Sequence, residues 1–258
     1  MRIDGKVVLI TGASEGIGAA CAAEFARSGA KLSLTARSEA GLARAGGPDA
    51  LITPGDITDA EVRRRVVERT LERYGAIDIL INNAGVGSYA PSWAAPMDET
   101  RRMFELNFFA MLGMIQLVAP HMRARRDGTI VNVGSIGGKM TLPWLTLYSA
   151  SKYAVGSVTE GLRMELLRDN VHAMLVCPGY VQTRFQQNAL RGGPPSDIAR
   201  SRKFAITPEE CAQRIRRGVE RRARTVMAPA ISGWFMILLY RLFPGVAQRR
   251  MAGMVDPV

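Results

Sequence analysis

The sequence predicts a doubly wound α/β fold, in which a mostly parallel seven-stranded sheet carries helices on both faces of a single domain. Strand-like runs alternate with helical patterns along the chain, and this alternation predicts βαβ units. The 258 residues, 47% of them hydrophobic, are enough for one large core. The predicted strands are 6–11, 31–36, 50–53, 79–82, 129–134, 171–177 and 225–227.

The first strand leads into the glycine-rich turn TGASEGIG, and a helix is predicted over 17–28. Gly12, Gly16 and Gly18 lack a Cβ, which permits a tight turn and lets a pyrophosphate approach the helix N-terminus closely. Because this turn directly follows the first strand and opens a helix, it predicts a Rossmann-like dinucleotide site. The segment 38–47 is short for a crossover helix, and we expect a short or frayed one.

Tyr148 and Lys152 lie four residues apart in the run YSASK, and Ser135 precedes Tyr148 by thirteen residues. On a helix this spacing puts the phenol and the ammonium on one face, so the positive charge is expected to lower the pKa of the phenol. A free tyrosine, with a pKa near ~10, transfers protons poorly at neutral pH. The pair therefore predicts a tyrosine acid or base, and the alternative is an incidental pair on a helix surface.

Together with NNAG at 82–85 and PGYVQT at 178–183, these motifs resemble those of the short-chain dehydrogenase/reductase family, over roughly residues 4–228. The resemblance implies hydride transfer between a nicotinamide and a carbonyl or alcohol carbon. It implies a catalytic tetrad of Asn107, Ser135, Tyr148 and Lys152. The residues that it implies for the cofactor, besides Tyr148 and Lys152, are Gly12, Ser14, Glu15, Gly16, Ile17, Gly18, Arg37, Ser38, Asp56, Ile57, Asn83, Ala84, Gly85, Pro178, Gly179, Val181 and Thr183.

The end of the second strand predicts NADP(H) in preference to NAD(H). Ala36 fills the position where NAD-linked relatives carry Asp, and Arg37 with Ser38 offers a cation for the 2′-phosphate. Glu15 would repel that phosphate unless it pairs with an arginine such as Arg37. Asp56 resembles an adenine contact, with a helix N-cap as the alternative.

In the implied mechanism Tyr148 protonates the carbonyl oxygen, Ser135 hydrogen-bonds it, and Asn107, within a helix predicted over 99–122, supports a water relay. We expect an apolar substrate between the walls 87–96 and 180–206. The apolar residues predicted for the pocket are Met140, Leu142, Trp144, Leu145 and Phe185. The alternatives are an NAD-linked alcohol or dihydrodiol dehydrogenase, and a non-catalytic nucleotide-binding regulatory or scaffold protein.

The cysteines, the histidines and the net charge bear on the redox state, metal sites and partners of the protein. Cys21, Cys177 and Cys211 are predicted to be reduced core residues, His121 and His172 structural or surface groups, and no metal site is predicted. The formal net charge of +11 is predicted to lie on solvated arginine faces, with anionic lipid or an acidic carrier-linked substrate as the alternative. No recognition motif points to nucleic acid. We expect a cytoplasmic homodimer or homotetramer without a signal peptide.

The C-terminal tail, 230–258, is apolar and basic, and we predict it to be distinct from the dinucleotide-binding catalytic domain 1–229. Its apolar run 231–243 is too short for a membrane span, which needs about 20 residues. Three uses stay open: an interfacial helix on the inner face of a membrane, a flap over the substrate pocket, or a subunit contact.

Overall fold

The computed structural model describes residues 1–192 and 205–253 of the chain. Their seven strands form one sheet in the order β3-β2-β1-β4-β5-β6-β7, and every neighbouring pair is parallel. The predicted doubly wound fold is confirmed. The strands are β1 (Val7–Thr11), β2 (Lys31–Thr35), β3 (Leu51–Ile52), β4 (Ile79–Asn82), β5 (Gly128–Val133), β6 (Val171–Pro178) and β7 (Thr225–Ala228).

Helices cover both faces of the sheet. Leu9 of β1 packs into one core cluster, and its neighbours Val8 and Ile10 pack into another, because successive strand side chains point to opposite faces. The helices are α1 (Gly16–Arg27), α2 (Glu39–Gly46), α3 (Ala60–Tyr74), α4 (Met97–Phe104), α5 (Met111–Arg125), α6 (Thr146–Glu165), α7 (Pro208–Glu220), α8 (Ala230–Leu242) and α9 (Pro244–Ala252).

The long helix predicted over 99–122 has a more complex form. A π-helical segment, Glu105–Ala110, separates α4 from α5 without ending the helical run. By length and hydropathy the whole run, Met97–Arg125, could span a membrane. Met114 and Val118 are nevertheless fully buried in the core beside the sheet, so the run serves as a core helix.

The C-terminal helices pack on the body of the domain through narrow faces. Ile237 of α8 is buried in the same cluster as Ile136 and Met227, and Met251 of α9 packs against that cluster. The absence of a side chain at Gly233 lets α8 approach closely, since a Cβ there would lie 3.0 Å from Met227 Cε. The division of the chain into a catalytic domain, 1–229, and a distinct tail, 230–258, stays a prediction.

Candidate active site

The glycine-rich turn and the segment after β4 lie against each other at the carboxyl ends of the strands. Asn83 Nδ2 donates to the carbonyl oxygens of Thr11 and Gly12, each at 3.0 Å. Thr11 Oγ1 in turn accepts from the backbone N–H groups of Asn83 at 3.0 Å and Ala84 at 3.2 Å. A Cβ on Gly12 would lie 2.8 Å from Ala84 Cα, and one on Gly18 would collide with the Gly12 carbonyl. These contacts explain why glycine is needed at those two positions.

The N-terminus of α1 suits a pyrophosphate. Helix α1 begins at Gly16, and the side chain of its N-cap residue, Glu15, makes no capping hydrogen bond. The first N–H groups of such a helix, with its dipole, attract an anion. Gly16 has φ +58°, and a Cβ there would lie 3.2 Å from Thr183 Cγ2. The glycine turn and the segment after β6 therefore approach each other at the helix N-terminus, where the phosphates of a dinucleotide would bind.

The predicted reaction centre is assembled beside this phosphate site. Ser135 hydrogen-bonds the phenol of Tyr148, and Ser135 Oγ accepts from Gly137 N at 3.0 Å. Lys152 Nζ lies 5.8 Å from the centroid of the Tyr148 ring and donates to Val133 O at 3.0 Å. Tyr148 and Lys152 are both buried on α6. The structure thus brings three of the four predicted catalytic residues into one group.

The titration of this group differs from the expectation. Burial raises the pKa of Tyr148 to about 12, and the hydrogen bond from Ser135 only partly opposes this rise. Burial also lowers the pKa of Lys152 to about 8. The predicted lowering of the phenol pKa by Lys152 is therefore wrong for the protein by itself, because desolvation dominates both groups. At neutral pH the phenol of Tyr148 is therefore protonated and can donate its proton.

Asn107, the fourth predicted catalytic residue, lies in the π-helical segment and is only 2% exposed. Its Oδ1 accepts from Val86 N at 2.8 Å, and its Nδ2 donates to Val86 O at 2.9 Å and to Ser151 Oγ at 3.1 Å. A Cβ on Gly85 would lie 3.1 Å from Asn107 Oδ1 and 3.3 Å from Lys152 Nζ, so the two polar atoms border one small space. Asn107 thereby ties the segment after β4 to α6.

An apolar shell surrounds Tyr148. Phe185 packs edge-on against its ring, with centroids 5.6 Å apart and planes at 60°. Leu142, Leu145 and Phe185 belong to this cluster, as predicted. Met140 packs into the main core instead, and Trp144 is not a member of the cluster. The cluster also contains Tyr89, Ala189 and Leu190, which lie within the predicted walls. The apolar residues that the prediction omitted are Val86, Met103, Phe104 and Leu147.

The two predicted pocket walls touch each other. Leu190 N donates to Gly87 O at 2.8 Å, Tyr89 N donates to Arg191 O at 3.0 Å, and Arg191 forms an ion pair with Glu99 at 3.2 Å. In PGYVQT, Val181 forms a parallel bridge with Ile206, which anchors the second wall near its end. Residues 193–204 of that wall lie outside the described residues.

On the adenosine side, the polar residues predicted to contact the cofactor are exposed, whereas Ile57 is buried. Arg37 has no ion-pair partner among the described residues. The carboxylate of Glu15 does not pair with Arg37, and its Oε1 accepts a hydrogen bond from Asn188 Nδ2. Ser38 Oγ caps α2 by accepting from Gly41 N at 3.1 Å. Asp56 Oδ1 accepts from Thr58 N at 3.0 Å and Thr58 Oγ1 at 2.9 Å in a local turn.

The alternative role of Asp56 as a helix N-cap is not found, because α3 begins later and is capped by Asp59, whose side chain accepts from Glu61 N at 2.8 Å. The carboxylate of Asp56 is instead used in the turn that shapes the predicted adenine wall.

Sequence reasoning missed Arg63, which it placed on a solvated arginine face. The side chain is half-buried, and its Nη1 donates to the carbonyl oxygens of Ile57 at 2.6 Å and Thr58 at 2.9 Å. Gly113 of α5 leaves room for the guanidinium, since a Cβ there would lie 2.6 Å from Arg63 Nε. Its helical spacing is the signal that could have found it, because Arg63 lies three, four and seven residues before the buried Val66, Val67 and Thr70.

The cysteines lie in the core, as predicted, and His172 is a structural group. All three cysteines are buried and free, and burial raises the pKa of Cys177 to about 11 and that of Cys211 to about 12. His172 Nε2 lies 2.9 Å from Ala223 O, and burial lowers the pKa of the ring. In the described part of the chain, no group of three acidic, histidine or cysteine side chains could hold a metal.

A parallel sheet with a phosphate site beside a buried serine, tyrosine and lysine defines a nicotinamide-dependent oxidoreductase. The family model of the short chain dehydrogenases matches residues 6–192. The chain therefore belongs to the short-chain dehydrogenase/reductase family.

Similar proteins agree with this assignment. A dehydrogenase/reductase SDR family protein 7-like of Anopheles gambiae is 34% identical over 95% of this chain and 81% of its own. An 11-beta-hydroxysteroid dehydrogenase A of Sesamum indicum is 32% identical over 97% of this chain and 80% of its own.

Solved structures match over the whole chain. A short-chain dehydrogenase/reductase of Burkholderia phymatum in complex with NAD has a TM-score of 0.85 at 25% identity, covering 100% of this chain and 99% of its own. A short chain dehydrogenase of Burkholderia cenocepacia in complex with NADP has a TM-score of 0.82 at 28% identity, covering 100% of each chain. A nicotinamide cofactor is thus supported.

Proposed function

We propose that the protein is an NADP(H)-dependent reductase of small apolar carbonyl compounds, or a dehydrogenase of the corresponding alcohols. The observation that carries the proposal is the phenol of Tyr148, buried in an apolar shell and hydrogen-bonded to Ser135. Such a shell favours a lipid-like, steroid-like or aromatic substrate over a polar one. The name of the Sesamum relative includes a steroid dehydrogenase, which agrees with this class.

A nicotinamide cofactor held by the glycine turn before α1 and by Tyr148 and Lys152 would supply hydride to the carbonyl carbon. Tyr148 donates its proton to the carbonyl oxygen, which Ser135 also hydrogen-bonds. Because burial raises the pKa of Tyr148 to about 12, the phenol is protonated at neutral pH, which suits the reductive direction. Lys152, when protonated, stabilises the phenolate left behind, and a water between Asn107 Oδ1 and Lys152 Nζ returns the proton from solvent.

Arg37 supports NADP(H), because its exposed guanidinium has no carboxylate partner in the described parts of the chain and can pair with a 2′-phosphate. Glu15, a carboxylate beside the phosphate site, is the feature that favours the NAD-linked alternative.

The test is turnover of a panel of apolar ketones and aldehydes with NADPH and with NADH, followed by loss of reduced-nicotinamide absorbance. Tyr148→Phe should abolish turnover and retain cofactor binding. Tyr153→Phe, an exposed tyrosine on the same helix, is the matched control and should retain turnover. If the wild-type chain binds cofactor but turns over nothing, the non-catalytic alternative stands.

A homodimer or homotetramer in the cytoplasm stays a prediction. Light scattering after size-exclusion chromatography measures the first, and cell fractionation measures the second.

A further inference from the structure

Helix α8 presents an unpartnered apolar surface. Gly233 and Ile237, four residues apart, are buried against the core, and Tyr240 continues this face as a partly buried residue. Every other position whose side chain is described, from 234 to 243, is exposed. The large apolar side chains that are half or more exposed are Trp234, Phe235, Leu238, Leu242 and Phe243, with Val246 beside them on α9. We call these six residues the tail face. Contiguous apolar surface of this kind marks an interaction site.

Cations border the tail face without any compensating acid. Arg241 lies on α8, and Arg249 and Arg250 share the exposed side of α9 with Val246, at i, i+3 and i+4. Residues 230–253 contain no aspartate or glutamate. The surface is therefore apolar in its middle, with Trp and Phe present, and purely cationic at its edge.

The flap alternative lacks support in the structure. The apolar cluster around Tyr148 includes no residue of α8 or α9 among those described. Helix α8 instead packs on Ile136 and Met227, and its other side is exposed.

Charge decides between the remaining occupants. A two-fold contact between copies of this face would bring like charges together, because each copy carries three arginines and no acid there. An anionic bilayer has the complementary chemistry: an apolar interior for aromatic and aliphatic side chains, and negative headgroups for arginines. We propose that the tail face docks on an anionic lipid bilayer, with Trp234 and Phe235 in the acyl boundary and Arg241, Arg249 and Arg250 at the headgroups.

The experiment uses the full chain and vesicles of phosphatidylcholine with or without phosphatidylserine. Co-sedimentation should occur only with phosphatidylserine and should weaken as salt rises. Arg249→Gln/Arg250→Gln should weaken binding roughly thirtyfold, because it removes two arginines and each is expected to contribute the usual binding free energy of an arginine near an anionic surface. Arg217→Gln on α7, combined with Arg221→Gln at the C-cap of this helix, removes the same charge elsewhere and should change the binding by much less.

The apolar contribution is tested separately. Phe235→Ser/Leu242→Ser should abolish binding, whereas Met164→Ser/Leu167→Ser, which changes two exposed apolar residues outside the tail face, should not. Trp234 should shift its fluorescence to shorter wavelength and be quenched by brominated lipid, a signal identified by its loss in Trp234→Phe. Cofactor binding reports folding of each variant, independently of substrate turnover.

Three outcomes overturn the proposal. The full chain could ignore phosphatidylserine vesicles at low salt, or the α7 control could weaken binding as much as the α9 variant does. Tail-face variants could also reduce oligomer size on size-exclusion chromatography and leave vesicle binding unchanged, in which case a second copy of the chain is the occupant.

Discussion

The two sides of the cofactor cleft are built in opposite ways. The reaction side consists of buried groups, none more than 8% exposed: Asn107, Ser135, Tyr148 and Lys152. The phosphate side, which includes the adenosine groups, presents the exposed side chains of Glu15, Arg37, Ser38 and Asp56. A buried polar group must find partners within the protein, so the geometry of the reaction side is formed before ligands bind. The phosphate side can adjust its side chains to the ligand. Changes on the first side should therefore be costly, and changes on the second should mainly alter selectivity.

The largest effect is expected at Asn107. Asn107→Leu removes the partners of Val86 N and Val86 O and of Ser151 Oγ, and buried groups without partners are costly. We expect a loss of about 3–5 kcal/mol in the free energy of unfolding, together with loss of turnover. Chemical denaturation measures the first quantity. Gln116→Leu, an exposed amide further along the same helical run, should change stability little, and an equal loss in both variants would contradict the comparison.

The next effect concerns pH and Lys152. Burial lowers the pKa of this lysine from 10.5 to about 8, so the unfolded chain holds one more proton than the folded chain between these values. Stability therefore rises with pH across this window, and the cost of the buried charge is fully present below pH 8. Relative to Lys152→Met, the wild-type free energy of unfolding should rise by about 3 kcal/mol from pH 8 to 10.5. A constant difference between the two proteins would mean that the ammonium is not desolvated.

A smaller effect is expected at Arg37, on the exposed side. Arg37→Ala should remove most of any preference for NADPH over NADH, a loss of about 1.5–3 kcal/mol for a charge-assisted bond. Arg44→Ala, an exposed arginine at the far end of α2, is the control. Equilibrium binding of the two cofactors measures the preference. If Arg37→Ala leaves it unchanged, the phosphate is recognised by another group.

Sequence patterns predicted the fold and the members of the reaction side, because strand alternation, glycine turns and the Tyr148–Lys152 spacing are local signals. They did not predict the environment of these residues. The pKa of Tyr148 depends on how completely the surrounding loops bury it, and the loop with Phe185 is far from Tyr148 in sequence. The contact of Glu15 with Asn188 likewise joins residues that are 173 positions apart in the sequence. Contacts between residues distant in sequence produce no periodic pattern or motif from which they could be predicted.

Arg63 extends the comparison, because this half-buried side chain supports a turn on the exposed side. Its guanidinium holds the carbonyl oxygens of Ile57 and Thr58, and therefore the turn around Asp56 that is predicted to contact adenine. Arg63→Leu should release this turn and weaken NADP(H) binding by roughly tenfold, equivalent to about 1.4 kcal/mol. The turnover number at saturating cofactor should stay near that of the wild type, because the reaction side is untouched.

Three further measurements separate this positioning role from a general loss of stability. Gly113→Ala should have the same effect as Arg63→Leu, since its Cβ would lie 2.6 Å from Arg63 Nε and displace the guanidinium. Arg64→Leu, which removes only an exposed ion pair with Glu61, should leave cofactor affinity unchanged. Reduced nicotinamide mononucleotide lacks the adenosine half, so its use by the enzyme should be the same in all four proteins. If Arg63→Leu impairs the mononucleotide as much as NADPH, the damage has reached the reaction side, and the two sides of the cleft are not independent.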